Sequence, residues 1–557
     1  MCKFFKKEYI TLAIIYFFSH FMLLFVSGRW WDDWCSYYRN DKALFEMSLQ
    51  LGRPSVYYLI NFAKMFPEYG YRWITFLLFF LCVVFFYRIL RNIFNLSSEN
   101  SCAVCLLFSC IPANDARILL SVFPYSIGLF FFVTGFFLFS FFLDKSKSLL
   151  YRLIILFIFF LSFVLNSNLV FYFIVVISIV LKKGVFNLIR YLDFLLIPVL
   201  FFVLKSYYFP SYGGYEGYNS ITLDKLIKGI FFVIPSDIYV MKSLLVNYYR
   251  EGNFFVIQSI ILCFLLFLDY KRIRIFLAFF ARFSFLNFIF NFLNKNILIT
   301  KLKVSPLRES FFLLCIGLIV LSLGLFPYVV VRDSYRICTS GIGGRDSILI
   351  SFGAALILFS LINICIKVSY RKYVLISFIL SGILYFNVFY LSYQQDYYRQ
   401  VAFSTQLDNH RDVLENVHNI VYFNDDKVRV NCSCFYQLNG IASTVFKNQT
   451  RFICDGFDCA KKYFSNSREN TKAVDYFVSS KLYNMSDYVG PNIQVDAVLI
   501  FSFSSSLFDV VKLKYYEITG NNYRFYKFIR NNSNMHVYLK GADKYKEILN
   551  DNNYLHL

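Results

Sequence analysis

Long apolar runs recur along this chain, and short clusters of basic residues separate them. This pattern constrains the fold more than any other feature, because about 20 consecutive apolar residues can cross a bilayer as a helix. Of the 557 residues, 58% are hydrophobic, 16% are charged and 71 are phenylalanine. One soluble core could not keep that much apolar surface away from water. The sequence therefore predicts an all-α polytopic membrane protein.

The basic residues lie between the apolar runs rather than on one folded unit. Lys6 and Lys7 precede the first run, and Arg371 and Lys372 precede the last. The net charge of +21 could suggest a nucleic-acid partner, but this spacing is typical of cytoplasmic loops. We expect no nucleic-acid partner. The first run, residues 9–26, lacks a small-residue cleavage site after it, which predicts a retained span with a cytoplasmic N-terminus.

The apolar runs predict about eleven spans and a transmembrane domain over residues 1–391. The spans are 9–26, 73–87, 94–112, 122–143, 149–165, 169–181, 188–203, 254–268, 311–331, 348–366 and 374–391. Two large external loops follow from this topology, 27–72 and 204–253. Residues 275–308 are aromatic but interrupted by polar side chains, so they fit either a cytoplasmic surface helix or two short spans.

The composition changes at residue 392. Short alternating runs at 495–501 and 523–528 suggest strands, and residues 392–557 suffice for one α/β or α+β domain. The topology places this domain outside the cytoplasm. Four of its cysteines have spacings that suit disulfides in an oxidising compartment or, alternatively, a zinc site. They are Cys432, Cys434, Cys454 and Cys459.

Residues 27–38, SGRWWDDWCSYY, carry the most unusual motif. Trp30, Trp31 and Trp34 could form an aromatic belt at the membrane interface. A belt does not explain Asp32 and Asp33, since adjacent like charges repel. Paired carboxylates suit general-base catalysis, in which one accepts a proton and the other orients or binds a cation. On these residues alone the two interpretations weigh equally.

The surrounding residues favour catalysis. Two short helices are predicted in the first loop, and Gly52-Arg53-Pro54 lies between them. A span, an acidic pair and this GRP resemble membrane glycosyltransferases of the GT-C superfamily, and especially the bacterial and phage serotype-converting glucosyltransferases of O-antigen. The resemblance covers the topology and roughly the first 90 residues. The C-terminal domain matches no specific relative.

The resemblance implies a catalytic role for Asp32 or Asp33 and a substrate role for Arg53. It implies transfer of a sugar, with glucose favoured, from a polyprenyl-phosphate donor to a glycan acceptor such as O-antigen lipopolysaccharide. The reaction would occur at the periplasmic side of a bacterial inner membrane, and the Phe-, Asn- and Lys-rich composition suits a bacterial source. A divalent cation such as Mg²⁺ or Mn²⁺ remains open as cofactor, and no metal-ligating residue is assigned.

Arginines in three further external turns are candidates for binding the donor phosphate, because guanidinium groups match phosphate oxygens. Lipid headgroups or neighbouring aspartates are the alternative partners. The candidate substrate-binding residues in these turns are Asn114, Asp115, Arg117, Arg332, Arg336 and Arg345.

The tyrosine-rich run 207–218 could close over a sugar through Tyr212 and Tyr215, or anchor at the membrane interface. Three rival functions remain: a polymerase of O-antigen or capsule, a transporter of lipid-linked glycans, and a non-catalytic receptor. A transporter would predict ionisable residues within the spans, and the sequence suggests almost none.

Overall fold

The computed structural model describes residues 7–38, 41–66, 69–144, 148–217, 222–250, 307–332, 334–366, 368–417, 419–424, 435–447, 452–455 and 496–542. The predicted span 254–268 and residues 275–306 of the ambiguous segment lie outside these ranges. Cys432, Cys434 and Cys459 lie outside them too, so the disulfide and zinc predictions stay predictions.

Helices dominate the described part of residues 7–417. They are α1 (Lys7–His20), α2 (Asp32–Tyr38), α3 (Asp41–Gln50), α4 (Pro54–Lys64), α5 (Gly70–Asn92), α6 (Ser98–Cys110), α7 (Phe123–Asp144), α8 (Leu149–Ser162), α9 (Asn168–Phe171), α10 (Phe173–Lys183), α11 (Leu192–Tyr208), α12 (Leu223–Arg250), α13 (Leu307–Arg332), α14 (Ile350–Cys365), α15 (Val368–Asn409) and α16 (Arg411–Leu414). Short 3₁₀ turns join several of them, including Asp115–Ile118 and Gly341–Ser347.

Seven helical segments of the described residues are long and apolar enough to cross a membrane. They are Lys7–Leu24, Gly70–Asn92, Leu120–Leu143, Val185–Tyr208, Leu223–Tyr248, Glu309–Arg332 and Val368–Asn409. Two shorter apolar helices, α8 and α14, accompany them. The predicted class of helical membrane protein is therefore confirmed, whereas the count of eleven spans stays a prediction.

Two regions differ from the sequence analysis. Residues 204–253, assigned to an external loop, contain the 28-residue helix α12, whose core is apolar enough to cross a membrane. The predicted boundary at residue 391 falls inside α15, an unbroken helix of 42 residues from Val368 to Asn409. Polar residues such as Gln394 and Asp396 suggested an end of the helix, but they are buried on α15 against other parts of the chain.

Local signals set several helix ends. Ser97 accepts a hydrogen bond from the Asn100 N–H and caps α6, and Ser148 does the same for α8 through Tyr151. Such caps satisfy backbone donors that the first helical turn leaves free. Pro54 begins α4, where its missing N–H removes no helical hydrogen bond.

A four-stranded sheet follows α15. Its strands are β1 (Asn419–Asn424), β2 (Phe452–Asp455), β3 (Ala497–Phe503) and β4 (Ser533–Leu539). Their order is β2-β1-β3-β4, with β1 parallel to both neighbours and β4 antiparallel to β3. The helices α17 (Phe435–Phe446), α18 (Leu507–Ile518) and α19 (Asn522–Asn531) complete this part, which we call the sheet domain.

The alternating run 495–501 forms β3, as predicted, but the strand prediction for 523–528 is wrong. Those residues belong to α19, because Phe525 and Ile529 recur at helical spacing and are buried together. Asn521 caps this helix by accepting a hydrogen bond from the Arg524 N–H.

Candidate functional site

The acidic pair begins α2, inside the segment between α1 and α5 (residues 25–69, called the first connection). Asp32 and Asp33 occupy the first helical turn, where the helix dipole favours carboxylates. Trp31 immediately before them has a φ of 51°, so the chain reverses sharply into the helix. Asp32 is partly exposed, whereas Asp33 is fully buried.

Asp33 fixes α2 to the 3₁₀ turn that precedes α7. One of its carboxylate oxygens accepts a hydrogen bond from the Ser121 N–H at 3.0 Å. Its other oxygen has no hydrogen-bond partner among the described residues. Burial raises the pKa of Asp33 to about 6, although the backbone N–H groups of Ser121 and Leu120 and the charge of Arg72 act in the opposite direction. Asp33 is thus held in place and shielded from solvent.

Two of the three neighbouring tryptophans lie in the protein interior, so the aromatic-belt interpretation is wrong for them. Trp30 is fully buried and meets Tyr393 edge to face at 4.8 Å. Trp34 packs against α17, where a Cβ on Gly440 would come within 2.4 Å of the indole. The tryptophan with a belt-like position is Trp73, which is 65% exposed and donates its indole N–H to the Leu24 carbonyl.

Arg72, which the sequence analysis did not single out, holds the start of the first connection. It is fully buried and donates hydrogen bonds to three backbone carbonyls, those of Val26, Gly28 and Ile118. Its guanidinium also lies 5.0 Å from the centre of the Trp30 ring. Arg72 therefore ties the first connection to the turn that contains Asp115. An arginine beside a tryptophan at the start of an apolar run was the available signal.

The turn Asp115–Ile118 brings two predicted site residues into the interior. Asp115 accepts hydrogen bonds through one oxygen from the Gly341 N–H at 3.0 Å and the Tyr385 hydroxyl at 3.2 Å. Its other oxygen has no partner among the described residues. A Cβ on Gly344 would lie 2.4 Å from that oxygen, so only glycine fits there. Burial raises the pKa of Asp115 to about 7, against the effect of these hydrogen bonds and of Arg117.

Asn114 and Arg117 line a small internal cavity. The Asn114 backbone is left-handed, with φ 56°, and its N–H donates to Ser347 at 2.8 Å. Neither polar atom of its side chain has a partner among the described residues. Arg117 donates to the Asn114 carbonyl at 2.9 Å and lies between Phe79 and Phe386. The cavity, about 10 Å³, has room for about one water molecule.

Arg345 joins the turn Gly341–Ser347 to the first connection. Its guanidinium lies 4.5 Å from the centre of the Trp31 ring, within the range of a cation–π contact. Its neighbour Asp346 is buried and forms ion pairs with Arg332 and Arg345. Arg332 and Arg345 therefore share the Asp346 carboxylate, and Arg345 also contacts Trp31, the residue before the acidic pair.

Arg53 and Lys205 extend this positive region. Arg53 donates to the Tyr125 hydroxyl at 3.4 Å. Arg53 and Asp346 both interact electrostatically with Tyr328, so the two residues lie in the same region. Lys205, which the sequence analysis did not identify, is half-buried within electrostatic range of Arg53. We call Arg53, Lys205, Arg332 and Arg345 the basic rim. Two of these cations, Arg332 and Arg345, form ion pairs with Asp346.

The remaining predicted residues lie at the periphery. Arg336 is exposed and donates to the hydroxyl of Tyr335. Tyr212 is 43% exposed and donates to Glu46 of α3 at 2.9 Å, while its N–H bonds the Gln50 carbonyl. Tyr215 ends the 3₁₀ turn Gly213–Tyr215 in the same loop. This tyrosine-rich loop thus packs on α3 and on Leu51 just after it, and these contacts do not involve the acidic pair.

No protein-family model matches the sequence, and no curated protein is similar to it. The chemistry of the site therefore rests on its geometry. Within the described ranges, no group of three or more His, Cys, Asp or Glu side chains is arranged to hold a metal ion. Asp33 and Asp115 each have one oxygen without a hydrogen-bond partner among the described residues. The two carboxylates are held by different groups, Asp33 by the Ser121 N–H and Asp115 by the Gly341 N–H.

The raised pKa of Asp115 predicts that stability depends on pH. An unfolded aspartate titrates near 4, so between about pH 4 and 7 the folded state holds a proton that the unfolded state releases. Stability should therefore fall as pH rises through this window, by up to about 1.4 kcal/mol per pH unit. We expect the melting temperature to drop more between pH 5 and 8 in the parent than in Asp115→Asn.

Thermal unfolding of the purified chain in detergent measures this difference. Asp408, an exposed aspartate paired with Arg411, provides the matched control. Asp408→Asn should retain the parental pH dependence. Equal slopes for the parent and Asp115→Asn would contradict the assignment of a protonated Asp115.

Proposed function

We propose that the protein is an integral-membrane glycosyltransferase that moves a hexose such as glucose from a polyprenyl-phosphate carrier to a glycan acceptor. The acceptor class is a cell-surface glycan such as O-antigen, on the periplasmic side of a bacterial inner membrane. One observation carries the proposal: the Arg345 guanidinium of the basic rim lies 4.5 Å from the centre of the Trp31 ring, so a cation suited to a phosphate contacts the residue that precedes a partly exposed carboxylate, Asp32.

Asp32 is the carboxylate that an acceptor can reach. Asp33 is fully buried and bonded to the Ser121 N–H, so it positions α2 and does not contact the acceptor. Asp32 takes the proton from an acceptor hydroxyl as a general base. The resulting oxygen attacks the anomeric carbon of the donor sugar, and the bond between that carbon and the phosphate oxygen breaks. A single displacement of this kind inverts the anomeric centre.

The basic rim stabilises the leaving phosphate. Negative charge grows on the phosphate oxygens as the bond to the sugar breaks, and preorganised cations stabilise that charge in a water-poor site. Arg332 and Arg345 share the one carboxylate of Asp346, which leaves a positive excess for this purpose. The carrier's isoprenoid chain would lie along exposed apolar helices such as α11, which lies next to the rim through Lys205.

Replacing Arg345 should weaken the use of the donor. Arg345→Gln removes one charge-assisted contact, so kcat/KM for the donor should fall about 10- to 100-fold. The assay is sugar transfer by the full chain in proteoliposomes, with varied polyprenyl-phosphate sugar. The control is Arg336→Gln, an exposed arginine outside the basic rim, which should change kcat/KM less than about twofold. Equal losses in both variants would contradict a phosphate role for the rim.

A transporter of lipid-linked glycans is the second candidate, and one observation favours it. Asp237 is buried in α12, a candidate span, and bonds the Ser322 hydroxyl of α13 at 2.6 Å. Carboxylates inside apolar helices often mark transport pathways. Proteoliposomes separate the two functions, since a transporter moves the intact lipid-linked glycan across the bilayer and a transferase changes its sugar. A polymerase would instead join repeat units, which product length distinguishes.

A further inference from the structure

One face of α18 in the sheet domain is exposed and strongly apolar. Phe508, Val511, Tyr515 and Ile518 are 79%, 53%, 63% and 66% exposed, respectively. Their spacing of three and four residues places them side by side along the helix. We call these four residues the α18 stripe.

The sheet domain does not need this stripe for its own core. The opposite face of α18 supplies Val510 and Leu513, which are fully buried with the residues of the sheet. A helix on the surface of a soluble domain normally carries polar residues on its outer face. Contiguous large apolar side chains on such a face mark a site of contact with a membrane or another protein.

The position of α18 favours the membrane as the contact. Lys514 donates a hydrogen bond to the Ser27 hydroxyl at 2.8 Å, and Ser27 donates to Glu517 at 3.0 Å. Ser27 follows the first candidate span, Lys7–Leu24, by three residues. Val511 and Ile518 lie three and four residues from Lys514, so the stripe borders the side of α18 that faces the end of that span.

Exposed aromatic side chains also lie beside the end of the first candidate span. Trp73, which donates its indole N–H to Leu24, is 65% exposed, and Phe25 is 47% exposed. Exposed tryptophans at span ends are typical of the boundary between acyl chains and headgroups. Trp73, Phe25 and α18 are therefore all tied to residues 24–27, at the end of the first candidate span.

The charges near the stripe suit an anionic lipid surface. Residues 507–531 contain five basic side chains and two acidic ones, Asp509 and Glu517. Lys512 lies four residues from Phe508 and is exposed. Basic residues beside an exposed apolar helical face are typical of helices that lie in the interface plane.

We propose that α18 lies in the headgroup region of the same bilayer, with the α18 stripe toward the acyl chains. The sheet domain then rests on the membrane surface beside the first connection rather than projecting freely from the end of α15. The contact does not depend on sugar transfer, so it stands or falls independently of the function proposed above.

Depth-dependent quenching tests this contact in the full chain. A fluorescent amino acid replaces Tyr515, and the protein is placed in nanodiscs of phosphatidylcholine and phosphatidylglycerol with or without bromine on the acyl chains. Because interfacial helices bury their apolar face about 5–10 Å deep, brominated lipids should roughly halve the fluorescence. The matched control carries the same label at Val413, which is 48% exposed and follows the far end of α15.

Quenching at residue 515 without quenching at residue 413 supports the proposal. A second label at Phe508 guards against a local disturbance and should be quenched as residue 515 is. No quenching at either stripe position, or equal quenching at residues 515 and 413, overturns the proposal. Fluorescence changes that follow only the addition of soluble glycan also overturn it, because the occupant of the stripe is then not lipid.

Discussion

Asp32→Asn should lower kcat for sugar transfer about 10²- to 10⁴-fold, the range that a general base contributes. Its membrane insertion and melting temperature should match those of the parent. Asparagine keeps the size and the hydrogen-bonding oxygen of aspartate but cannot take up the proton of the acceptor hydroxyl. The side chain is partly exposed at the start of α2, so its replacement leaves the buried contacts of Asp33 intact. Transfer from polyprenyl-phosphate sugar in proteoliposomes measures the loss.

Two variants serve as controls for Asp32→Asn. Asp41, the exposed first residue of α3 in the same first connection, should tolerate asparagine with less than about a twofold change, as expected of a surface carboxylate. Asp33→Asn should mainly lower the melting temperature, since Asp33 anchors α2 to Ser121.

The pattern of losses distinguishes the proposals. A large loss in Asp33→Asn with normal transfer by Asp32→Asn would move the base to the buried residue and imply that α2 shifts during turnover. Normal transfer by both variants would remove the catalytic role of the acidic pair. The basic rim would then be the remaining argument for a transferase.

Local features of the chain were predictable from sequence because they depend on near neighbours. The apolar runs gave the helical membrane class, and the adjacent carboxylates of α2 stood out because adjacent like charges need a reason. Arg332 follows the predicted span 311–331 and Arg345 precedes the span 348–366, so the sequence places both arginines in the same connection.

Features set by distant partners were not predictable. Asp115 is held by Gly341 and Tyr385, which lie more than 220 residues away. Lys205 lies two residues beyond the predicted span 188–203, and the packing of α11 brings it within electrostatic range of Arg53. The polar composition after residue 391 predicts the end of a span, whereas Gln394, Gln395 and Gln400 bond residues of the first connection and the sheet domain. Such pairings need the tertiary structure.

Replacing Arg72 should destabilise the protein more than replacing any arginine of the basic rim. Arg72→Gln removes a buried guanidinium that bonds the carbonyls of Val26, Gly28 and Ile118. The Ile118 carbonyl keeps a donor in the Tyr71 hydroxyl, whereas the carbonyls of Val26 and Gly28 lose theirs. Each buried carbonyl left without a donor costs about 1–3 kcal/mol, and the loss of the charged guanidinium adds to that cost. We expect a loss of about 3–5 kcal/mol in unfolding free energy, comparable to breaking a buried ion pair.

The measurement is the melting temperature of the purified full chain in one detergent, together with transfer at a temperature where the variant is folded. Arg336→Gln, at an exposed arginine, should change stability by less than about 0.5 kcal/mol. Arg72→Lys should also be destabilised, because one ammonium cannot reproduce the planar fork that reaches three carbonyls. If Arg72→Gln melts like the parent, the other contacts of the first connection, such as those of Asp33 and Trp30, are sufficient to hold it. The geometry of the acidic pair would then not depend on the buried arginine.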